Sequence, residues 1–264
     1  MKKYFVIGNP INHSLSPKLH NYWLKENNID AVYDKKKIDE KDLQNIILEV
    51  KEKKIKGINV TVPFIKAIIP YLDKLSPEAE QTQSVNTIIL TEDTLVGYNT
   101  DIPGFTKAIK HLNFNIEGKK IFILGAGGVV PSIIFALNKM NASEIIISNR
   151  TRRKADDLKS HFTSINVINW GNIPKFDMII NATSLGLNNE ALNFNFSNVG
   201  DNKLFYDVIY NPSETSFLKE GKKLGNRTEN GKLMFIYQAS EAFKLWHGVE
   251  PKINTNILKL LEND

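Results

Sequence analysis

Ile121-Phe122-Ile123-Leu124-Gly125-Ala126-Gly127-Gly128 runs four apolar residues straight into a glycine-rich turn. The run predicts a buried parallel strand, and the turn predicts entry into a helix from about Val129 to Met140. Glycines suit that corner because a Cβ would obstruct both the tight turn and the approach of a pyrophosphate to the helix-start amides. Glu144-Ile145-Ile146-Ile147-Ser148 reads as a second strand, which completes a βαβ unit of about 30 residues. Where NAD-binding proteins usually carry an acidic residue for the ribose hydroxyls, the chain has Asn149-Arg150-Thr151, followed by Arg152, Arg153 and Lys154. A carboxylate there repels a 2′-phosphate, whereas guanidinium groups bind one in bidentate fashion, so the pattern predicts NADP(H). Val130 stands where the last glycine of the dinucleotide pattern belongs. The glycines alone are equally consistent with a plain tight turn, and the basic cluster with a solvated helix start. Only their spacing after two apolar strands points to a dinucleotide.

The composition is ordinary for a globular chain: 264 residues, 42% apolar, 24% charged and a formal net charge of +5. That length accommodates one large domain or two modest ones. No apolar run reaches the length of a membrane span, and Tyr4-Phe5-Val6-Ile7 is too short for a signal peptide, so no membrane role is expected. Zero cysteines exclude disulfides, thiolate catalysis and zinc–thiolate sites, and fit a cytoplasmic location. The five histidines show no ligand spacing, so no metal is expected. The lysines are scattered without a basic stripe or interleaved aromatics, so small anionic metabolites rather than nucleic acid are the expected partners.

Outward from the glycine turn, the N-terminal part alternates strand and helix. Tyr4–Gly8, Val32-Tyr33 and Ile58–Val62 read as strands, the last stopped by Pro63. Ser16-Pro17 reads as the capped start of a helix reaching about Asn27, and Ser76-Pro77 as another. Leu43, Ile46, Ile47 and Val50 keep helical spacing. Thr87–Leu90 and Leu95–Gly97 suggest a hairpin, and a helix from about Ile102 to Leu112 leads to the glycine turn. Strands near 166–168, 178–181 and 204–206 continue the second domain, and an amphipathic helix is expected from Leu233 to Trp246. The fold class is therefore α/β with two domains: a substrate domain of residues 1–101 plus 232–264, and a Rossmann-type domain of residues 102–231. A cleft between them is the expected place for a substrate.

Several polar residues sit where a fold alone would not want them. Asn12-His13-Ser14-Leu15-Ser16-Pro17 sets two hydroxyls beside helix-start amides, a combination suited to a carboxylate. Ser16 alone reads equally well as a plain helix cap, and His13 as a spacer. Asn59 and Thr61 share one face of an apolar strand. Asn86 and Asp101 each sit at an element end in a short polar motif, Val85-Asn86-Thr87 and Asn99-Thr100-Asp101, and singly each is turn chemistry.

Taken in order, these motifs resemble the shikimate dehydrogenase family. The resemblance runs from Gly8-Asn9-Pro10-Ile11 through Asn59–Phe64, Val85–Thr87, Asn99–Asp101, the glycine turn and Asn149–Thr151. It continues through Asn181–Gly186, Tyr206–Pro212, and Gly231 with Met234 and Gln238. It implies NADPH-dependent reduction of 3-dehydroshikimate to shikimate, by a monomer or homodimer. It further implies that Ser14 and Ser16 hold the substrate carboxylate, and that Asn59, Thr61, Asn86, Asp101, Tyr210 and Gln238 line the substrate's polar groups. Gly125, Ala126, Gly127, Gly128 and Val129 would cradle the pyrophosphate. Asn149, Arg150, Thr151, Arg152, Arg153 and Lys154 would hold the 2′-phosphate, with Thr183, Val208 and Gly231 also toward the cofactor. A polyhydroxylated acid needs this many partners, since a buried unpaired hydroxyl costs about 1–3 kcal/mol.

One position departs from the family. A lysine that pairs with the aspartate and serves as acid–base residue should directly follow Asn59-Val60-Thr61-Val62-Pro63-Phe64. Here that place is Ile65, and the lysine is Lys66. On a helix the two side chains point about 100° apart. Three outcomes follow: Lys66 reaches in, Asp101 works with a water, or the chain is severely impaired. The alternative functions are a weak or inactive shikimate- or dinucleotide-binding protein, and an NAD-using quinate/shikimate dehydrogenase.

Overall fold

A computed structural model describes residues 1–188, 190, 192 and 194–261. Within them the chain forms two compact units, Met1–Gly104 with Ile236–Asp264, and Phe105–Phe235. The chain crosses from one to the other inside two helices rather than in loops.

The first unit opens with β1 (Lys2–Gly8), α1 (Ser16–Glu26), β2 (Ala31–Lys37), α2 (Leu43–Lys51) and β3 (Gly57–Val60). There follow β4 (Lys74–Leu75), α3 (Pro77–Thr82), β5 (Thr87–Thr91), β6 (Thr94–Tyr98) and the start of α4 (Asp101–His111). Its sheet has the order β2-β1-β3-β5-β6-β4. β1 pairs parallel with β2 and β3, and β5 is antiparallel to β3 and β6. The carboxyl ends of β1, β3 and β6 therefore share an edge with the amino end of β5. Leu43, Ile46, Ile47 and Val50 of α2 are all buried, as their spacing predicts, and join Ile7, Ile58 and Ile88 in one core.

The second unit continues with β7 (Lys120–Leu124), α5 (Val130–Lys139), β8 (Glu144–Ser148), α6 (Arg152–His161), β9 (Ile165–Ile168) and β10 (Met178–Asn181). Then come β11 (Leu204–Asp207), α7 (Ser216–Lys223), β12 (Arg227–Glu229) and the first turn of α8 (Lys232–His247); α9 (Thr255–Leu260) belongs to the first unit. The sheet order is β12-β11-β10-β7-β8-β9 with every pair parallel, which is the doubly wound Rossmann order. β10 and β11 are buried at every residue because helices cover both faces of a parallel sheet, which explains their unbroken apolar runs.

One local expectation is corrected: Ser16 is not the cap but the first residue of α1, and Leu15 holds the cap position without a side-chain bond of its own. The segment after Pro63 is a series of turns followed by a 3-10 helix at Ile69–Tyr71. Helix α8 is two-sided: Phe235, Ile236, Ala239, Ala242 and Phe243 are buried, whereas Tyr237, Gln238, Glu241, Lys244 and Leu245 keep some exposure. By contrast Ser76 does cap α3, its Oγ accepting from Ala79 N at 3.2 Å.

Candidate active site

In the first unit, strand direction alone brings the flagged residues to one edge. Thr61 follows β3, Asn86 precedes β5, and Asn99-Thr100-Asp101 follows β6 into α4. Asn86 sits in a saturated network. Its Oδ1 accepts from Thr100 N at 2.8 Å, Thr100 Oγ1 at 3.0 Å and Thr87 Oγ1 at 3.1 Å. That loading fixes the amide with its NH2 on the side of the Asp101 carboxylate, to which it donates. Asn59 is equally committed: its amide donates to Asn86 O at 3.0 Å and Thr87 Oγ1 at 2.9 Å, and its Oδ1 accepts from Tyr33. Both hydrogens of Asn59 are thus spent inside the protein. Asn99 serves as turn chemistry, its Oδ1 accepting from Asp101 N and Ile102 N at the start of α4.

Asp101 is partly exposed, yet enough protein surrounds it that loss of hydration pushes its carboxyl up from 3.8 to about 6. The hydrogen bond from Asn86 opposes that rise, and no cation contributes. Ile65 is buried at 8% exposure, its carbonyl accepting from Val85 N, while Lys66 is exposed. At the start of α1, Ser14 Oγ accepts from Ser16 N at 3.3 Å, which leaves the Ser14 hydroxyl hydrogen uncommitted.

In the second unit, the carboxyl ends of β7, β8, β10 and β11 form one edge because all are parallel. The order reverses between β7 and β10, the place where doubly wound sheets open a crevice. Gly125 turns there with φ +114°, and a Cβ on it would come within 2.7 Å of Ala182 O, so no other residue fits without strain. Val129 offers α5 no side-chain cap; Val130 N closes the turn by donating to Gly127 O at 3.1 Å, and Pro131 has no N–H. A Cβ on Gly231 would collide with the Val208 carbonyl, which brings those two backbones into contact. These features fit a dinucleotide.

At the next strand end, Asn149 Nδ2 donates to Thr151 O at 2.8 Å. Arg150, Arg153 and Lys154 are exposed there. Arg152 is already engaged: it donates to Asp156 Oδ1 at 3.0 Å and to Asn169 Oδ1 at 2.8 Å. Thr183 is held by Asn181 Oδ1 at 2.7 Å.

The sequence reading missed Asp207 as an organiser. It is fully buried, receives bonds from Thr215 Oγ1 at 2.6 Å, Ile209 N at 3.0 Å and Asn181 Nδ2 at 3.1 Å, and burial raises its carboxyl to about 6. A lone carboxylate ending an apolar strand was the available signal. Tyr210, in the second unit, stacks on Phe235 at 4.5 Å. Gln238 lies on α8 in the first unit, against Gly104. Among the described residues, no group of three or more His, Asp or Glu is disposed to hold a metal, and no helix is long and apolar enough to cross a membrane.

Comparison with known proteins gives two family matches: "Shikimate dehydrogenase substrate binding domain" over residues 6–88 and "Shikimate / quinate 5-dehydrogenase" over residues 106–192. The chain is 53% identical to a shikimate dehydrogenase (NADP(+)) of Pelagibacter ubique, covering 99% of this chain and 100% of that one. Among solved structures, the shikimate dehydrogenase of Aquifex aeolicus matches with TM-score 0.92 at 36% identity, over 100% of this chain and 98% of that one. The Thermus thermophilus shikimate 5-dehydrogenase, solved with NADP(H) and shikimate, matches with TM-score 0.88 at 31% identity, over 96% and 95%.

Proposed function

The chain belongs to the shikimate dehydrogenase family, and from that membership we propose that it catalyses the reversible, NADPH-dependent reduction of 3-dehydroshikimate to shikimate in chorismate biosynthesis. The observation that carries the reading to residues is the locked Asn86 amide turned onto Asp101 at the polar edge of the first sheet. We assign residues 1–101 plus 232–264 to substrate and 102–231 to cofactor, a division supported by the two compact units.

When bound, the cofactor supplies a hydride to the substrate ketone. The chain's own residues must then hold the acid and place a proton on the developing alkoxide. Ser14 and Ser16 hold the carboxylate, and Thr61, Asn86, Tyr210 and Gln238 bind the polar groups of the ring, with Asn59 behind them. Asp101 carries the acid–base step. Burial keeps a protonated fraction of its carboxyl near neutral pH, where an ordinary aspartate has none to give. Lys66, exposed and one residue past the family position, is the less suited of the two candidates. Turnover is therefore slow for the family. The reading places the protein in the cytoplasm, as a monomer or homodimer with no nucleic-acid partner.

The direct test follows NADPH absorbance with 3-dehydroshikimate, with shikimate binding measured separately by calorimetry. Binding with slow turnover supports the reading; no binding of shikimate or NADPH sinks it. Cofactor choice has its own test. Arg150 and its neighbours Arg153 and Lys154 carry the 2′-phosphate, while the guanidinium of Arg152 is engaged by Asp156 and Asn169. Arg150→Ala is expected to weaken NADPH binding about tenfold or more, the worth of one charge-assisted contact, and to leave NADH binding unchanged. Arg152→Ala is expected to change NADPH binding less than about threefold. Equal losses in the two variants would reverse the assignment.

A further inference from the structure

We propose that Tyr33, on β2, is a positioning residue that fixes both ends of the substrate site through one buried chain of hydrogen bonds; the inference rests on the functional reading above. The Tyr33 hydroxyl accepts from Ser16 Oγ and donates to Asn59 Oδ1 at 2.7 Å. Asn59 passes the chain to Thr87 Oγ1 at 2.9 Å, and Thr87 shares Asn86 Oδ1 with Thr100. Asn86 then holds Asp101. Every intermediate member of this chain is buried. Its two ends, Ser16 and Asp101, are the residues assigned to the substrate carboxylate and to the proton.

Tyr33 itself is held on every side. Its ring lies flat on His20, centroids 4.1 Å apart and planes within 3°. His20 is walled by Trp23 at 5.8 Å and Trp246 at 5.6 Å, and neither of its nitrogens has a partner among the described residues. It therefore acts as a flat apolar spacer. The backbone is pinned as well: Asn21 on α1 accepts from Tyr33 N at 3.0 Å and donates to Tyr33 O at 2.7 Å. A ring so confined sets the position of its oxygen closely, and that oxygen sets the Ser16 rotamer.

The serine is available for this because it is not spent on capping α1. A hydroxyl has one hydrogen, which here goes to Tyr33. A substrate carboxylate takes that hydrogen by rotation about the Cβ–Oγ bond alone, which exchanges the Tyr33 bond for the substrate and leaves the Ser16 oxygen where the unbound chain set it. A chain built only for stability has no need of this arrangement, since apolar packing of equal volume does as well.

The test measures shikimate and NADPH affinity of the full chain by calorimetry for the parent, Tyr33→Phe, Ser16→Ala and the double variant. Tyr33→Phe keeps the ring and removes the hydroxyl. It is expected to weaken shikimate about tenfold, leave NADPH unchanged, raise KM and move kcat less than about threefold. In the Ser16→Ala background the same change is expected to cost less than in the parent, because one of the two ends it serves is already gone. Unchanged shikimate affinity in Tyr33→Phe, or the same loss in both backgrounds, overturns the proposal. Should Tyr33→Phe fail to fold, Thr87→Val cuts the chain two links on at constant volume and is expected to weaken shikimate about fivefold; no change there overturns it equally. A parent chain that binds no shikimate overturns the functional reading and this inference with it.

Discussion

Replacing Ile65 by lysine is expected to raise kcat for reduction of 3-dehydroshikimate by about 10²–10³-fold at pH 8, the usual worth of a well-placed acid. The family pattern implies a lysine at this position paired with the aspartate, and the chain has a buried isoleucine there instead. On the proposed reading Asp101 donates alone. With its carboxyl at about 6, only about one molecule in a hundred carries the proton at pH 8. A lysine ammonium stays protonated to about pH 10. Placed beside Asp101, it also returns the carboxyl toward the ordinary range by Coulomb attraction.

The two forms therefore differ in pH profile as well as rate. For the parent, the rate falls about tenfold per pH unit above about 6. For Ile65→Lys it stays level well past pH 8. Shikimate affinity changes little, because the substrate's polar contacts are the same in both. Lys66→Ala separates the remaining possibility. If that variant loses the parent's activity, the neighbouring lysine has been reaching the substrate and the argument from Asp101 fails. If Ile65→Lys gains nothing while still binding shikimate, position 65 is not where the acid belongs in this chain.

Asp101→Asn is expected to abolish the remaining turnover and at the same time to stabilise the fold above pH 6. The folded carboxyl has its value raised from 3.8 to about 6, so the folded chain holds a proton that the unfolded chain has already released. Stability is therefore lost as pH rises from about 4 to about 6, and the full cost persists above that. Asparagine carries no charge at any pH and escapes the cost. The gain at pH 8 is on the order of 1–2 kcal/mol, since part of the carboxyl still meets solvent. It shrinks toward zero near pH 4, where both side chains are neutral. The buried Asp207 titrates in the same range but is common to both proteins, so it cancels in the difference. Urea melts of parent and variant at pH 4, 6 and 8 measure this directly. Equal stability at pH 8 would mean that Asp101 is better solvated than its surroundings indicate.

Hydrophobic period and glycine chemistry made the second unit readable in advance. The four apolar residues before Gly125 became β7, the β-branched run became β8, and the basic residues after it stand at the end of that strand. These readings succeed because strand and turn formation depend on neighbours within a few residues. The same holds for Ser76, which caps α3 by contact with its own chain. Short elements escaped: the two-residue β4 and the three-residue β12 exist only because a sheet edge is there to receive them. Ser16 escaped for a related reason. Its place before a proline suggests a cap, but Leu15 takes that position and Tyr33 takes the hydroxyl.

The sequence by itself therefore determined which residue types the chemistry has available: the glycine turn, the basic cluster and the hydroxyls of the Ser14-Leu15-Ser16 segment, all properties of the chain read locally. That Ile65 stands where a lysine is expected is what the family resemblance implies. Only the tertiary structure decided how each is used. It buried Ile65 and exposed Lys66, turned the Asn86 amide onto Asp101, and spent both hydrogens of Asn59 inside the protein. It also raised the Asp101 carboxyl. Hydration and hydrogen-bond partners are set by residues distant in sequence, and those neighbours exist only once the strands have paired.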